Sequence, residues 1–360
     1  MKDRILAIYM VPYLNKVSKL DADIIFIDAF AGPGRFGSGD DEGDAGSPII
    51  MCEAAERTVP GRYRAIFANK NKEFHDRLRK NLSQYKAAKP VLGNAEDLLR
   101  ELPNELGNET VFLYLDPFGL KGCDFELLRP ILSRDTKHST EVVVNLSILT
   151  MQRLSCRNRV LEGRGREEGV VGKQRSLTKA LGGDYWKASL LAETGTPDSR
   201  AEAVAVEYLR RLSALGLQRS GLCPVREKPN SRLKYFVMFF SRHEDALLLM
   251  NNIMHDAYHE TMFDAETKGT LFADLDWKES EPPVALRTAV LDLVGKQPGT
   301  TARDLWLMIV QKHFMRFRQK DYTTTIRHLV RPSGPLIYED VRGTRRVNLD
   351  APLKRRDSNE

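Results

Sequence analysis

Apolar positions recur along this chain with two periods, one helical and one strand-like, and the switches between them mark its elements. Over residues 2 to 20, Ile5, Leu6, Tyr9, Tyr13, Val17 and Leu20 recur at helical spacing and predict a helix. The run D-I-I-F-I-D at 23 to 28 predicts a buried strand, followed by a glycine-rich loop through Ser47 and a helix from about Pro48, since proline suits a first helical turn. Further strands are predicted at R-A-I-F-A (64 to 68), P-V-L (90 to 92), V-F-L-Y-L (111 to 115) and E-V-V-V-N-L-S (141 to 147), with a long charged helix ending near Tyr85. Strands alternating with helices imply an α/β fold, a mostly parallel sheet covered on both faces.

The pattern breaks between Met151 and Lys179, where positions 153 to 179 hold 8 basic and 3 acidic residues; residues 151 to 180 read as a basic loop or insertion near the site. A helix over 201 to 215, strands near 222 to 227 and at K-Y-F-V-M-F-F (234 to 240), and a closing helix over 246 to 254 follow. An acidic stretch ending in Pro-Pro, 274 to 283, reads as a linker and ends a first domain spanning 1 to 273. Beyond it come a helix marked by Leu286, Val290, Leu293 and Val294, and a helix from Thr301 with Asp304 placed as in a capping box. A third helix, 319 to 330, precedes P-L-I-Y-E-D-V, a tight turn and R-V-N-L, the pattern of a β-hairpin wing. Residues 284 to 350 therefore read as a winged helix and 351 to 360 as a basic, polar tail.

The 360 residues suffice for a large core plus a smaller domain. With no run long and apolar enough to span a membrane and no signal-peptide h-region after Met1, Lys2, Asp3 and Arg4, a soluble, cytoplasmic protein is expected. Cys52, Cys123, Cys156 and Cys223 lack zinc-ligand spacing, and His255 with His259 lacks a third ligand, so no metal site is expected. From Pro283 onward 15 Lys and Arg face 8 Asp and Glu, against 40 and 41 before it, so the basic character belongs to the C-terminal module and suits an anionic partner, nucleic acid first.

Two blocks carry the chemistry. Residues 26 to 34, F-I-D-A-F-A-G-P-G, and 113 to 119, L-Y-L-D-P-F-G, each read as a buried strand breaking into a loop with an acidic residue. Gly32, Gly34 and Gly37 also satisfy G-x-G-x-x-G, the dinucleotide fingerprint. That fingerprint needs its third glycine in a helix, whereas G-S-G-D-D-E-G-D-A-G-S is too glycine-rich, and Asp40, Asp41, Glu42 and Asp44 would repel a diphosphate while favouring a cation. A cationic sulfonium cofactor fits better than a nicotinamide dinucleotide.

The block Asp28, Ala29, Phe30, Ala31, Gly32, Pro33, Gly34 resembles the D-x-F-A-G-x-G form of nucleic-acid base methylases among the S-adenosylmethionine-dependent class I methyltransferases. The resemblance implies a Rossmann-like sheet and S-adenosylmethionine as cofactor, with Gly32 and Gly34 admitting it closely and Asp28 receiving its ammonium. Asp116, Pro117, Phe118 and Gly119 resemble the D-P-F-G variant of tRNA guanine-N2 methyltransferases, which implies that the carboxylate or a carbonyl accepts from an exocyclic amine while the ring stacks on an extruded base. Where this family has an acidic ribose ligand the chain has Asn69, a departure that weakens the match, and Asn94 with Ala95 stands where the family contacts adenine.

Over residues 1 to 265 the chain also resembles a narrower group, the three-Cys-motif partner proteins (TcmP), through I-D-A-F-A-G-P-G, G-S-P at 46 to 48, L-D-P-F-G and Y-F-V-M-F-F-S-R-H-E-D-A at 235 to 246. That resemblance implies a Rossmann-type methyltransferase and, as a partner, a protein with three clustered cysteines. In the C-terminal module Lys320, Tyr322, Thr323, Thr324, Arg327 and His328 on the third helix, with Arg342, Arg345 and Arg346 on the wing, suit a nucleic-acid groove. Arg153, Arg157 and Arg159 suit a phosphate backbone. The expectation is a methyltransferase acting on a nucleic-acid base amine; the alternative is a catalytically inactive module that binds nucleic acid or the three-cysteine partner. The choice of DNA, RNA or protein acceptor and the oligomeric state stay open at this point.

Overall fold

Runs that carry apolar residues on both strand faces form the centre of a sheet, because such runs must be covered on both sides. A computed structural model of the chain describes residues 1–37, 43–122, 124–134, 139–268, 283–338 and 347–356. It divides into a unit over Met1–Ala246 and a second over Leu247–Glu360.

In chain order the first unit contains α1 (Lys2–Val17), β1 (Ile24–Asp28), α2 (Ser47–Thr58), β2 (Tyr63–Asn69), α3 (Lys72–Asn81), β3 (Ala88–Leu92), α4 (Ala95–Glu105), β4 (Thr110–Leu115), α5 (Phe125–Leu132) and β5 (Thr140–Ser147). After these come α6 (Ile148–Ser155), α7 (Arg157–Leu161), α8 (Glu168–Leu181), α9 (Trp186–Leu190), α10 (Pro197–Ser213), β6 (Arg219–Arg226) and β7 (Leu233–Ser241). The strand order is β3-β2-β1-β4-β5-β7-β6. β1 to β5 run parallel, and β7 is antiparallel to both its neighbours. The predicted mixed α/β architecture with a parallel-dominated central sheet is therefore present. Sequence order reverses direction between β1 and β4, and such a switch point opens a crevice at the carboxyl ends of the strands.

Alternation sorts the strand residues between two faces. Ile25, Ile27, Leu113, Val142 and Val144 join α4, α5, α8 and α10 in one buried cluster. On the opposite face Tyr9 and Tyr13 of α1 pack on Phe112, and Tyr9 meets Phe239 edge-on. Glu141 also points to this face, where the Tyr9 hydroxyl donates to it at 2.5 Å. Burial pushes the Glu141 carboxyl up to about 7. The folded protein then holds a proton that the unfolded chain has released between the ordinary carboxylate range and about pH 7, so this residue's contribution to stability falls as pH rises through that window. Glu141→Gln should accordingly raise thermal stability relative to wild type at about pH 8, by up to roughly 3 kcal/mol, and lose that advantage near pH 5. Thermal melts across that range check it, and a pH-independent difference would remove the titration from the account.

The segment read as a basic loop over 151 to 180 is helical instead. α6, α7 and α8 occupy most of it: Met151 is buried in α6, and Val170, Leu177 and Leu181 are buried at helical spacing along α8.

The compact units divide within α11 (Glu244–Thr267) rather than at the linker read at 274 to 283, whose residues through 282 lie outside the described ones. Leu247 and Leu248 belong to the second unit's apolar cluster, which explains that division. This unit also contains α12 (Val284–Lys296), β8 (Thr300–Thr301), α13 (Ala302–Lys312), α14 (Gln319–Leu329), β9 (Leu336–Tyr338) and β10 (Pro352–Arg355). Thr301 caps α13 by accepting from the Asp304 amide at 3.1 Å. The side-chain amide of Asn251 donates to Phe317 O and its carbonyl accepts from Met315 N, both at 2.8 Å, which ties α11 to the turn before α14.

The three-stranded sheet has the order β8-β10-β9, with β10 antiparallel to both neighbours. This corrects the hairpin expected from R-V-N-L: β9 pairs with residues read as a polar tail, because Leu353 is fully buried there and makes 352–355 the central strand. Arg342, Arg345 and Arg346 lie outside the described residues.

Candidate functional site at the carboxyl ends of the strands

Both sequence blocks end at the switch point. Asp28, the last residue of β1, is in register with Tyr114 of β4, so Asp116 follows two residues beyond on the adjacent strand. Asn69 closes β2, and Asn94 follows β3, whose Leu92 pairs with Asn69. The parallel register thus gathers residues far apart in the chain at one sheet edge.

Asp28 is fully buried and faces inward. Its two carboxylate oxygens accept from Phe30 N at 2.9 Å and Ser47 Oγ at 2.6 Å, which ties the loop to β1 and to the start of α2. Burial raises its carboxyl to about 7 against the lowering effect of those hydrogen bonds, and Asp116 adds to the rise. Ala29 is buried beside it, and Ala95 is buried at the start of α4.

The described residues of the glycine loop are pinned at several points. Arg35 and Ala45 form an isolated antiparallel bridge, Gly46 N donates to Gly34 O at 2.8 Å, and Asn81 Nδ2 donates to Pro33 O at 2.8 Å. Asn69 Nδ2 donates to Ala31 O, while Asn69 Oδ1 accepts from Asn71 N at 2.7 Å, so this side chain holds the loop against β2. Gly34 has φ +93°, and an added Cβ would lie 3.2 Å from Asn81 Cβ. A Cβ on Gly32 would meet nothing within 4 Å, so packing does not require that glycine. Asp40, Asp41 and Glu42 lie outside the described residues.

The two blocks interlock through Phe30. Its ring lies against the loop after β4, where a Cβ at Gly122 (φ +82°) would fall 2.2 Å from Phe30 Cζ. Asp116 is partly exposed and paired with Lys2 Nζ at the start of α1. Pro117 is buried, Phe118 is fully exposed at 104%, and Gly119 lies beside Thr150 of α6. Asn94 is exposed; its Oδ1 accepts from Glu96 N at 3.3 Å, leaving Nδ2 without a partner among the described residues. The block therefore presents a partly exposed carboxylate and an unsupported aromatic ring at the strand end.

Lys2, Asn81 and Gly122 carried no signal in the sequence, because their partners lie 114, 48 and about 90 residues away. Ser47 stood only within the G-S-P motif. Among the described residues no group of three His, Cys, Asp or Glu is placed to hold a metal ion, and no helix is long and apolar enough to cross a membrane.

In the second unit, Lys320, Thr323, Thr324, Arg327 and His328 lie on the outward side of α14, the spacing of one helix face. Tyr322 does not join them, which corrects its expected place in a nucleic-acid surface. It is fully buried, stacks on Trp306 at 5.0 Å between ring centroids, and donates to Ala302 O at 2.5 Å.

The fold and these strand-end loops define a doubly wound α/β protein with a candidate ligand site at its topological switch point. No family model matches the chain, and no curated protein matches it. Solved structures with similar backbones include a protein of Legionella pneumophila (10% identity, covering 67% of this chain and 84% of that one, TM-score 0.39). An O-methyltransferase from Bacillus cereus in complex with S-adenosylhomocysteine shows 13% identity over 66% of this chain and 80% of that one, with a TM-score of 0.34. An rRNA methylase from Streptococcus thermophilus shows 12% identity over 64% and 93%, with a TM-score of 0.31. Likeness at these levels identifies neither family nor activity.

Proposed function

We propose that this chain is an S-adenosylmethionine-dependent methyltransferase acting on an exocyclic amine of a nucleic-acid base. The observation that carries the reading is the juxtaposition, at one switch point, of the open Gly32 backbone and the outward Asp116-Pro117-Phe118 turn. The parallel-dominated α/β sheet fits the Rossmann-like sheet that the resemblance of the two blocks implies.

The cofactor supplies an electrophilic methyl group on a sulfonium. The chain's residues fit it: open space at Gly32 lets a ligand lie close to backbone, and Asn94 Nδ2 is free to donate to an adenine ring nitrogen. Asp28 and Asn69 act on this site by holding the loop. The acceptor amine takes the place of the Lys2 ammonium on Asp116 Oδ2, an N–H donor for an N–H donor, and Phe118 stacks on the extruded base. Methyl transfer needs mainly this alignment, and the carboxylate accepts the amine's hydrogen bonds and shed proton.

The second unit fits a winged helix in its order of helices and strands, with the outward face of α14 as a nucleic-acid contact. A three-cysteine partner protein is a further expected companion through the family resemblance. A second reading, a binding module, is favoured by the Lys2–Asp116 pair, which in this structure occupies the carboxylate that the acceptor amine would use.

Isothermal titration of the folded protein with S-adenosylhomocysteine tests the cofactor assignment. Saturable binding in the micromolar range is expected, and no heat at high micromolar ligand would overturn it. Tritiated methyl transfer into total RNA and DNA then separates enzyme from binding module.

A further inference from the structure

Away from the strand-end loops, the first unit holds a cavity of about 380 Å³ at the junction of α6, α7 and α10. Six cations line it, Arg153, Arg157, Arg159, Lys173, Arg200 and Arg232, with no carboxylate among the lining residues. Cys156, at φ 51°, turns the chain between α6 and α7, so that Arg153 from the end of one helix and Arg157 from the start of the next both face the cavity.

Some of these charges have partners in the fold. Arg157 Nη2 and Nε donate to Ala192 O at 2.7 and 3.1 Å, Arg200 Nη1 donates to the Thr194 and Gly195 carbonyls, and Arg159 pairs with Glu167 at 3.1 Å. Carbonyls satisfy N–H donors without cancelling a full charge. Arg153, Lys173 and Arg232 are exposed and have no ion-pair partner among the described residues. Burial first, and then Arg157, lowers the Arg200 guanidinium below its ordinary value, as expected where cations crowd one another. An anion in this space would relieve that repulsion.

α6 connects the cavity to the candidate active site. Its first turn carries Thr150, beside Gly119 of the D-P-F-G turn, and its last turn carries Arg153. Eight residues of helix span about 12 Å, so the cavity lies within reach of backbone that flanks a base held at Phe118. We propose that this cavity is a subsite for the phosphates of a single-stranded nucleic-acid acceptor, adjacent to the base held at the D-P-F-G turn. The proposal rests on the nucleic-acid acceptor of the proposed function, and it assigns Lys173, Arg200 and Arg232, which the sequence did not associate with Arg153, Arg157 and Arg159.

The test is fluorescence anisotropy of a labelled single-stranded RNA of mixed sequence, titrated with the full chain between about 50 and 200 mM salt. The comparison is between wild type and the triple variant Arg153→Gln, Lys173→Gln, Arg232→Gln. A control variant, Arg57→Gln, Lys86→Gln, Lys89→Gln, removes the same charge from other surface positions of the same unit. The expected result is a loss of at least about tenfold in affinity and a fall of about 2 in the salt-dependence slope, at roughly 0.7 per lost phosphate contact, in the cavity variant alone. Equal losses in both variants, no loss in either, or no RNA binding by wild type each overturn the proposal. Titration with S-adenosylhomocysteine is the independent readout: intact cofactor binding with an unchanged cavity variant refutes the subsite alone, whereas lost cofactor binding in wild type refutes the methyltransferase reading while cavity-dependent RNA affinity still stands.

Discussion

Replacing Asp116 by alanine should reduce methyl transfer by about 10²- to 10⁴-fold, the range associated with a positioned group that orients and deprotonates a nucleophile. Affinity for S-adenosylhomocysteine should stay within about twofold, because Asp116 stands on the acceptor side of the site. Stability should change little: the Lys2–Asp116 pair is partly exposed, pairs of that kind contribute about 0–1 kcal/mol, and Lys2 keeps Asp3 as a neighbouring carboxylate. Phe118→Ala provides the companion result. A fully exposed ring contributes no burial, so the fold should be indifferent to its loss, whereas acceptor affinity should weaken by about 1–3 kcal/mol if the ring stacks on a base. Tritium incorporation, cofactor calorimetry and thermal melts on the same preparations decide between enzyme and binding module; transfer that survives Asp116→Ala would assign the chemistry elsewhere.

The second large effect is expected at Gly32. Because a Cβ there meets nothing within 4 Å, Gly32→Val should fold with unchanged stability and yet lose S-adenosylhomocysteine affinity by at least about 100-fold, since the branched side chain would fill the space in which a ligand approaches the backbone. Gly34→Ala provides the contrast. Its left-handed φ and the nearby Asn81 predict a loss of about 1–2 kcal/mol in stability in addition to weakened binding. Calorimetry paired with melting curves separates the two, and a Gly32→Val protein that binds normally would remove the loop from the cofactor site.

The strands of this chain were legible because near-continuous apolar runs such as I-I-F-I and V-V-V have few other uses, and the loops after them because glycine and Asp-Pro interrupt such runs. The helices over 148 to 181 were not: arginine and glycine dominate the local composition, and the buried Val170, Leu177 and Leu181 that make α8 amphipathic are sparse within it. Tyr322 illustrates a different obstacle. Its neighbours Lys320 and Thr323 are polar, and only the packing against Trp306 shows that the ring turns inward. Leu353, inside a basic segment, becomes the centre of a small sheet for a reason equally invisible in its surroundings.

The amino-acid sequence by itself determined the alternation of strands and helices and the placement of two chemically loaded blocks at strand ends, since hydrophobic period and backbone-breaking residues act over a few neighbours. Only the tertiary structure decided that the blocks meet at adjacent strand ends, that Asp28 turns inward to Ser47 while Phe118 turns outward, and that six cations from α6, α7, α8, α10 and the residue before β7 gather around one cavity. Those outcomes depend on strand order, register and burial, which bring together residues tens of positions apart, and no local pattern encodes which of several exposed or buried environments a side chain will meet.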